Sequence, residues 1–219
     1  MRTETKIRTL FTFDELSEDA KQKAIDRNRD INTDFDWWEH SYESMSELAN
    51  MCEISGFEIS GFDLDRAQSI SLKGSIEYFD LQKFARSEPK EKGYKKLEEL
   101  HTYAKSLLIK NLCPAMRSAI ATTYYNGWAF EAGASFERTR YGCTDDTKVE
   151  TSVNCESESQ GMIEQTEKCA EACSDFLDRF KDECFKMLDQ EYEYLCSDAA
   201  IAESLQANGC EFLEDGTPA

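Results

Sequence analysis

Apolar positions along the chain follow a helical period near the start, an alternating period in the middle, and a helical period again towards the end. Ile7, Leu10, Phe11 and Phe13 read as a short strand, and Asp14 or Ser17 then suits a helix cap. Leu16, Ala20, Ala24, Arg27 and Ile31 recur behind it at helical spacing, a thin stripe. In "DFDWWEHSYE" Asp34 is the expected cap of a second helix, with Asp36 and Glu39 near its positive end. Trp38, Tyr42, Met45, Ala49 and Cys52 then continue as one apolar stripe, with Trp38 as core anchor and Trp37 and His40 on its flank. Phe57, Ile59, Phe62 and Leu64 read as a strand with an irregularity at Ser60–Gly61. Ile70, Leu72, Ile76 and Tyr78 alternate as its partner across the turn "DRAQ".

The middle of the chain is less regular. "SEPKEKG" carries Pro89 and Gly93 and reads as an exposed loop. Leu97, Leu100, Leu107, Leu108 and Leu112 follow as an amphipathic helix that ends before Pro114. Strands are expected near 118–125, 128–140 and 147–154, with a hairpin signal at Asn126–Gly127. Met162, Thr166, Cys169, Cys173, Phe176, Phe180, Cys184 and Met187 or Leu188 then mark one long helix. Ser197 caps a further helix, Gly209 stops it, and "CEFLEDG" closes as a short strand. The fold expected is α+β: an antiparallel sheet of about five strands with helices packed on one side and a long acidic C-terminal helix. One domain over 1–219 is expected, with a basic loop and helix insertion near 80–117 and an acidic helical part over 157–219.

Charge changes this picture most. The net charge is −19, and residues 143–219 hold 20 acidic and 5 basic side chains, whereas residues 1–142 hold 24 and 20. Glu164, Glu167, Glu171, Asp175, Asp178 and Asp182 fall on the side of the long helix opposite its apolar stripe, a ridge suited to a partner with a basic surface. The same field disfavours nucleic acid and anionic membranes. No apolar run reaches bilayer-spanning length and Met1–Phe13 has no uninterrupted apolar segment, so a non-secreted protein without membrane spans is expected.

The remaining candidates are weaker signals. Trp37, His40, Tyr94, Lys95, Lys96 and Trp128 would suit a small ligand or nucleotide, the lysines for its phosphates and the aromatics for its base. Set against this, the lysines read first as part of a solvated Lys/Glu helix face. Asp63 and Asp65, two apart on a strand, would share a face and offer oxygen ligands to a divalent ion, or simply face solvent. With His40, Asp34 and Asp36 they are the basis for a metal-dependent hydrolase, but no phosphate loop, GxSxG elbow or HExxH helix accompanies them. The nine cysteines include no CxxC pair, and Cys169 and Cys173 lie one turn apart on the apolar face, so they read as buried thiols in a reducing compartment. No cofactor is expected.

"FDELSEDAKQKAIDRNRDIN", the "DWW" that follows it, "GFDLDR" and the closing "QEYEYLCSDAAIAESLQANGCEFLEDG" together are similar to a group of small phage and prophage proteins. Some of that group carry the label of antitoxin in a toxin–antitoxin system. The resemblance implies a phage or prophage origin and a life in the host cytoplasm, and it carries over no catalytic residues. A non-enzymatic acidic protein that inhibits or neutralises a host protein is the function expected. A nucleotide-sequestering protein and a divalent-metal-dependent hydrolase are the alternatives.

Overall fold

The computed structural model describes residues 8–86, 130–141, 144–155 and 160–219, with positions 102 and 105. The expected loop around Pro89, the helix over 97–112 and the strand near 118–125 lie outside the described residues, as do Tyr94, Lys95, Lys96 and Trp128. Five helices are described: α1 (Glu18–Arg27), α2 (Glu39–Met51), α3 (Tyr78–Arg86), α4 (Gln160–Leu195) and α5 (Asp198–Ala207). The strands are β1 (Phe11–Thr12), β2 (Ser55–Asp63), β3 (Ser69–Glu77), β4 (Phe130–Tyr141), β5 (Thr144–Cys155) and β6 (Glu211–Phe212). The fold is α+β. Its main antiparallel sheet has four described strands, ordered β2-β3-β4-β5, rather than about five, and β1 pairs with β6 in a separate two-stranded sheet. The backbone groups into two compact units, Met1–His40 with Leu188–Ala219, and Ser41–Met187.

In the first unit β1 and β6 meet. Phe11 pairs with Phe212 and Thr12 with Glu211, and the ring of Phe13 stands edge-on to Phe212 at 6.3 Å. Ser17 caps α1 by accepting from the Ala20 N–H at 3.3 Å, and Ser197 caps α5 in the same way from Ala200 at 3.2 Å. Leu16, Ala20, Ala24 and Ile25 pack with Ile201, Leu205 and Phe212 into a core of their own. The segment before α2 departs from the expected helix start. Asp34 donates its N–H to the Asp30 carbonyl inside a run of turns, and α2 begins only at Glu39. Buried Asn32 explains the departure: its amide donates to the Leu195 carbonyl at 2.9 Å and its carbonyl accepts from the Ser204 hydroxyl at 2.6 Å. That anchor ties the loop to α4 and α5 and overrides the local capping preference.

In the second unit α2 buries Met45, Leu48 and Ala49, Cys52 is buried just past its end, and Tyr42 is half-buried against Phe62. The hairpin β2–β3 forms as expected, with register shifts between Ser55 and Glu58 and between Ile59 and Gly61. Beyond it the alternation of Ile76 and Tyr78 misleads, because Tyr78 opens α3. Tyr78, Leu81 and Phe84 then recur at helical spacing and are fully buried. β4 joins β3 through only three residue pairs, Ser75–Ser135, Ile76–Ala134 and Glu77–Gly133. A Cβ at Gly133 would lie 2.9 Å from the Ile76 carbonyl oxygen, so this close approach needs glycine.

Past that contact Thr147 of β5 takes over. Its buried hydroxyl accepts from the Leu72 N–H at 2.8 Å and donates to the Leu72 carbonyl at 3.4 Å, filling the place of a ladder partner. The Thr147 main chain points elsewhere. Its N–H goes to the Asp146 carboxylate at 2.7 Å and its carbonyl accepts from the Lys181 ammonium of α4 at 2.8 Å. The other face of α4 completes the core: Thr166, Cys169, Cys173, Phe176, Leu177, Phe180 and Cys184 are completely buried. Phe180 meets Phe57 edge-on at 5.5 Å and Phe176 meets Phe84 at 5.9 Å.

Candidate functional site

An α-helix turns about 100° per residue, which places Glu164, Glu167, Glu171, Asp175, Asp178 and Asp182 of α4 within about 80° of its circumference. The fully buried residues of the same helix centre on the opposite side. Five of the six carboxylates are exposed and Asp175 is half-buried. The ridge rises about 27 Å from first to last carboxylate, or about 5 Å per charge, against about 3.4 Å per phosphate along one strand of DNA. Exposed Lys168 and Lys186, four residues after Glu164 and Asp182, flank it. Arg179 lies 3.6 Å from Asp175, and Lys181 is turned away to the Thr147 carbonyl. Burial pushes the Asp178 carboxyl above its ordinary range. The positive charge of Lys181 opposes that shift, and repulsion from Asp182 and Asp175 adds to it.

At the C-terminal end of the ridge a cleft of about 310 Å³ opens, lined by Gln68, Ser69, Ile70, Asp146, Lys181, Asp182 and Phe185. Asp146 and Lys181, which had no signal in the sequence, thus join the end of β5 to the end of the ridge. They escaped notice because each looks like one more solvated charge, and only the tertiary contact with Thr147 distinguishes them.

The other described sequence candidates are divided between the two units. Trp37 and His40 belong to the first unit, Asp63 and Asp65 to the second. The Trp37 ring packs on Trp38 at 5.9 Å and on Tyr192 at 5.6 Å, while His40 is exposed. Asp63 and Asp65 do not share a strand face, because β2 ends at Asp63 and Asp65 lies in the turn. The Asp63 carboxylate accepts from the N–H groups of Arg66 at 2.8 Å and Asp65 at 3.0 Å, so it shapes the turn. The Arg66 bond leads in holding its carboxyl below the ordinary range, and the Asp65 bond adds to it. Among the described residues no three His, Cys, Asp or Glu groups gather to hold a metal ion. The seven described cysteines are thiols rather than disulfides. Burial pushes the thiols of Cys52, Cys173 and Cys184 above their ordinary range, which suppresses thiolate chemistry there.

No helix among the described residues is long and apolar enough to cross a membrane. Comparisons with protein-family models, with curated proteins and with solved structures give no match to this chain.

Proposed function

We propose that the protein is a non-enzymatic acidic binding protein of phage or prophage origin, acting in the host cytoplasm. In this reading the ridge of α4 docks on a basic surface of a host protein and inhibits or neutralises it, as an antitoxin or anti-defence factor does. The observation that carries the reading is the two-sidedness of α4: one face is wholly buried and the other presents six carboxylates. The buried face holds the helix in place, so the charges are set before any partner arrives and little ordering entropy is lost on binding. Neighbouring charges about 5 Å apart lie within the Debye length of about 8 Å at physiological salt, so a partner meets them as one field. Such a field speeds encounter and disfavours acidic surfaces, nucleic acid included.

The test is capture from bacterial lysate on the immobilised full chain. Raising salt from about 0.1 M to about 1 M shortens the Debye length from about 10 Å to about 3 Å and is expected to release the partner. Glu164→Lys with Glu171→Lys is expected to abolish capture. Capture indifferent to both would refute the reading.

A further inference from the structure

β5 is the last of the described strands in the sheet order and is paired with β4 along its whole length. The β4–β5 register runs without a shift from Phe130–Cys155 to Tyr141–Thr144. In such a ladder, residues alternate between those that exchange bonds with the partner strand and those whose N–H and C=O point away. Thr147 is of the second kind, since its main chain bonds Asp146 and Lys181. With no bulge to change the parity, Val149, Thr151 and Val153 also direct their main-chain groups away from β4. Among the described residues these groups meet no bonding partner.

The side chains along this edge are exposed as well. Glu150, Thr151, Ser152 and Asn154 are exposed, and Val153 keeps 45% of its surface in solvent. Thr151 and Val153 pair with Ala134 and Ala132 and so point to the same face as those buried alanines. Neither a proline nor a bulge protects this edge, which carries the exposed Lys148 and Glu150 as its charges. Charges line it: Glu150 on the strand itself, which pairs with the exposed Lys148, and Asp146 and Asp182 beside the cleft where Lys181 joins β5 to the ridge.

We propose that the outer edge of β5 over Val149–Val153 receives an extended, lysine- or arginine-bearing segment of the partner as an added strand. Main-chain bonds to Val149, Thr151 and Val153 supply the affinity, and the flanking carboxylates select basic side chains. The proposal rests on the ridge as docking face and gives its partner a shape: a basic segment free to extend. A second copy of this chain is a poor occupant, because two molecules of charge −19 repel one another.

The probe is a synthetic hexapeptide of alternating lysine and valine, titrated into the full chain, with amide hydrogen exchange read by NMR. In the unliganded chain the amides of Val149, Thr151 and Val153 are expected to exchange fast, and those of Glu150 and Ser152, which face β4, slowly. The peptide is expected to slow the first group alone. A glutamate–valine peptide and an N-methylated lysine–valine peptide are expected to do nothing. Thr151→Pro removes an N–H that β4 does not use, so it should leave the melting temperature near that of the unaltered chain and weaken the peptide at least about tenfold. Val153→Pro serves in its place if the first variant unfolds. Slow exchange of all five amides before peptide is added would show that the chain covers its own edge and would overturn the proposal. Equal binding of the N-methylated peptide, or of the proline variants, would do the same. Host-protein capture undiminished by Thr151→Pro removes strand addition alone, whereas capture undiminished by ridge reversal removes the ridge.

Discussion

Gly216 and Gly209 adopt similar left-handed backbones, at φ +80° and +61°, yet stand in different surroundings. Around Gly209 nothing lies within 4 Å of where a Cβ would sit. At Gly216 a Cβ would overlap the Ala20 carbonyl oxygen of α1 and lie 2.9 Å from its carbon. Gly209→Ala therefore incurs only the left-handed penalty, about 1–2 kcal/mol. Gly216→Ala incurs that penalty and must also move the C-terminal turn away from α1. Three main-chain bonds hold the turn: Leu213 N–H to Thr217 at 2.8 Å, Gly216 N–H to Leu213 at 2.9 Å and Ala219 N–H to Glu211 at 3.0 Å. Losing them at about 1 kcal/mol each brings the expected cost to about 4–5 kcal/mol. Native-state hydrogen exchange is the suitable assay, because two compact units need not unfold together. The Leu213 and Ala219 amides should lose protection in Gly216→Ala and keep most of it in Gly209→Ala. Equal costs for the two variants would refute the reasoning, since the only difference claimed between them is the nearness of α1.

Thr147→Val keeps the volume but leaves both Leu72 main-chain groups without their bond, so urea denaturation should show a loss of about 1–3 kcal/mol. Phe180→Ala empties a fully buried site against Phe57 and should cost about 3–5 kcal/mol in the same assay, whereas Glu171→Ala on the exposed face of α4 should change stability by less than about 0.5 kcal/mol. The Asp63 carboxyl, held low by the turn amides, should titrate by NMR with a midpoint below 3.8. It contributes stability above that pH and loses it as the pH falls through the lowered midpoint, so the deficit of Asp63→Asn should shrink in acid. Asp178 runs the other way. Its raised carboxyl makes the folded chain bind the extra proton, so wild-type stability falls as the pH rises from 3.8 through the folded midpoint. Asp178→Asn should therefore melt higher than wild type at neutral pH and equal it below pH 3.8.

Much of the architecture was legible wherever one period ran undisturbed. The α4 stripe from Thr166 to Leu188 is apolar at its buried steps apart from Thr166 and Glu183, and the structure buries Cys169, Cys173, Phe176, Phe180 and Cys184 completely. The serine caps at Ser17 and Ser197 and the stop at Gly209 were equally readable, since each acts through bonds to its own neighbours. Legibility failed where two signals overlapped. Tyr78 continues the alternation of β3 and also begins the helical recurrence of Tyr78, Leu81 and Phe84, and a strand period cannot announce its own end. Asp34 carries every local mark of a cap, but the Asn32 anchor to α4 and α5 holds the chain in turns until Glu39.

The order of residues was by itself enough to establish the α+β composition, the serine caps of α1 and α5 and the charged face of α4, because these depend on neighbours within about one or two helical turns or along one strand. Contacts between residues far apart in the chain decided the rest. They paired β1 with β6, and set the Thr147 hydroxyl against Leu72 while its carbonyl met Lys181. The open edge of β5 is of this second kind. Whether a strand's main chain points inwards or outwards depends on which strand lies beside it, and alternating side chains read the same in either case.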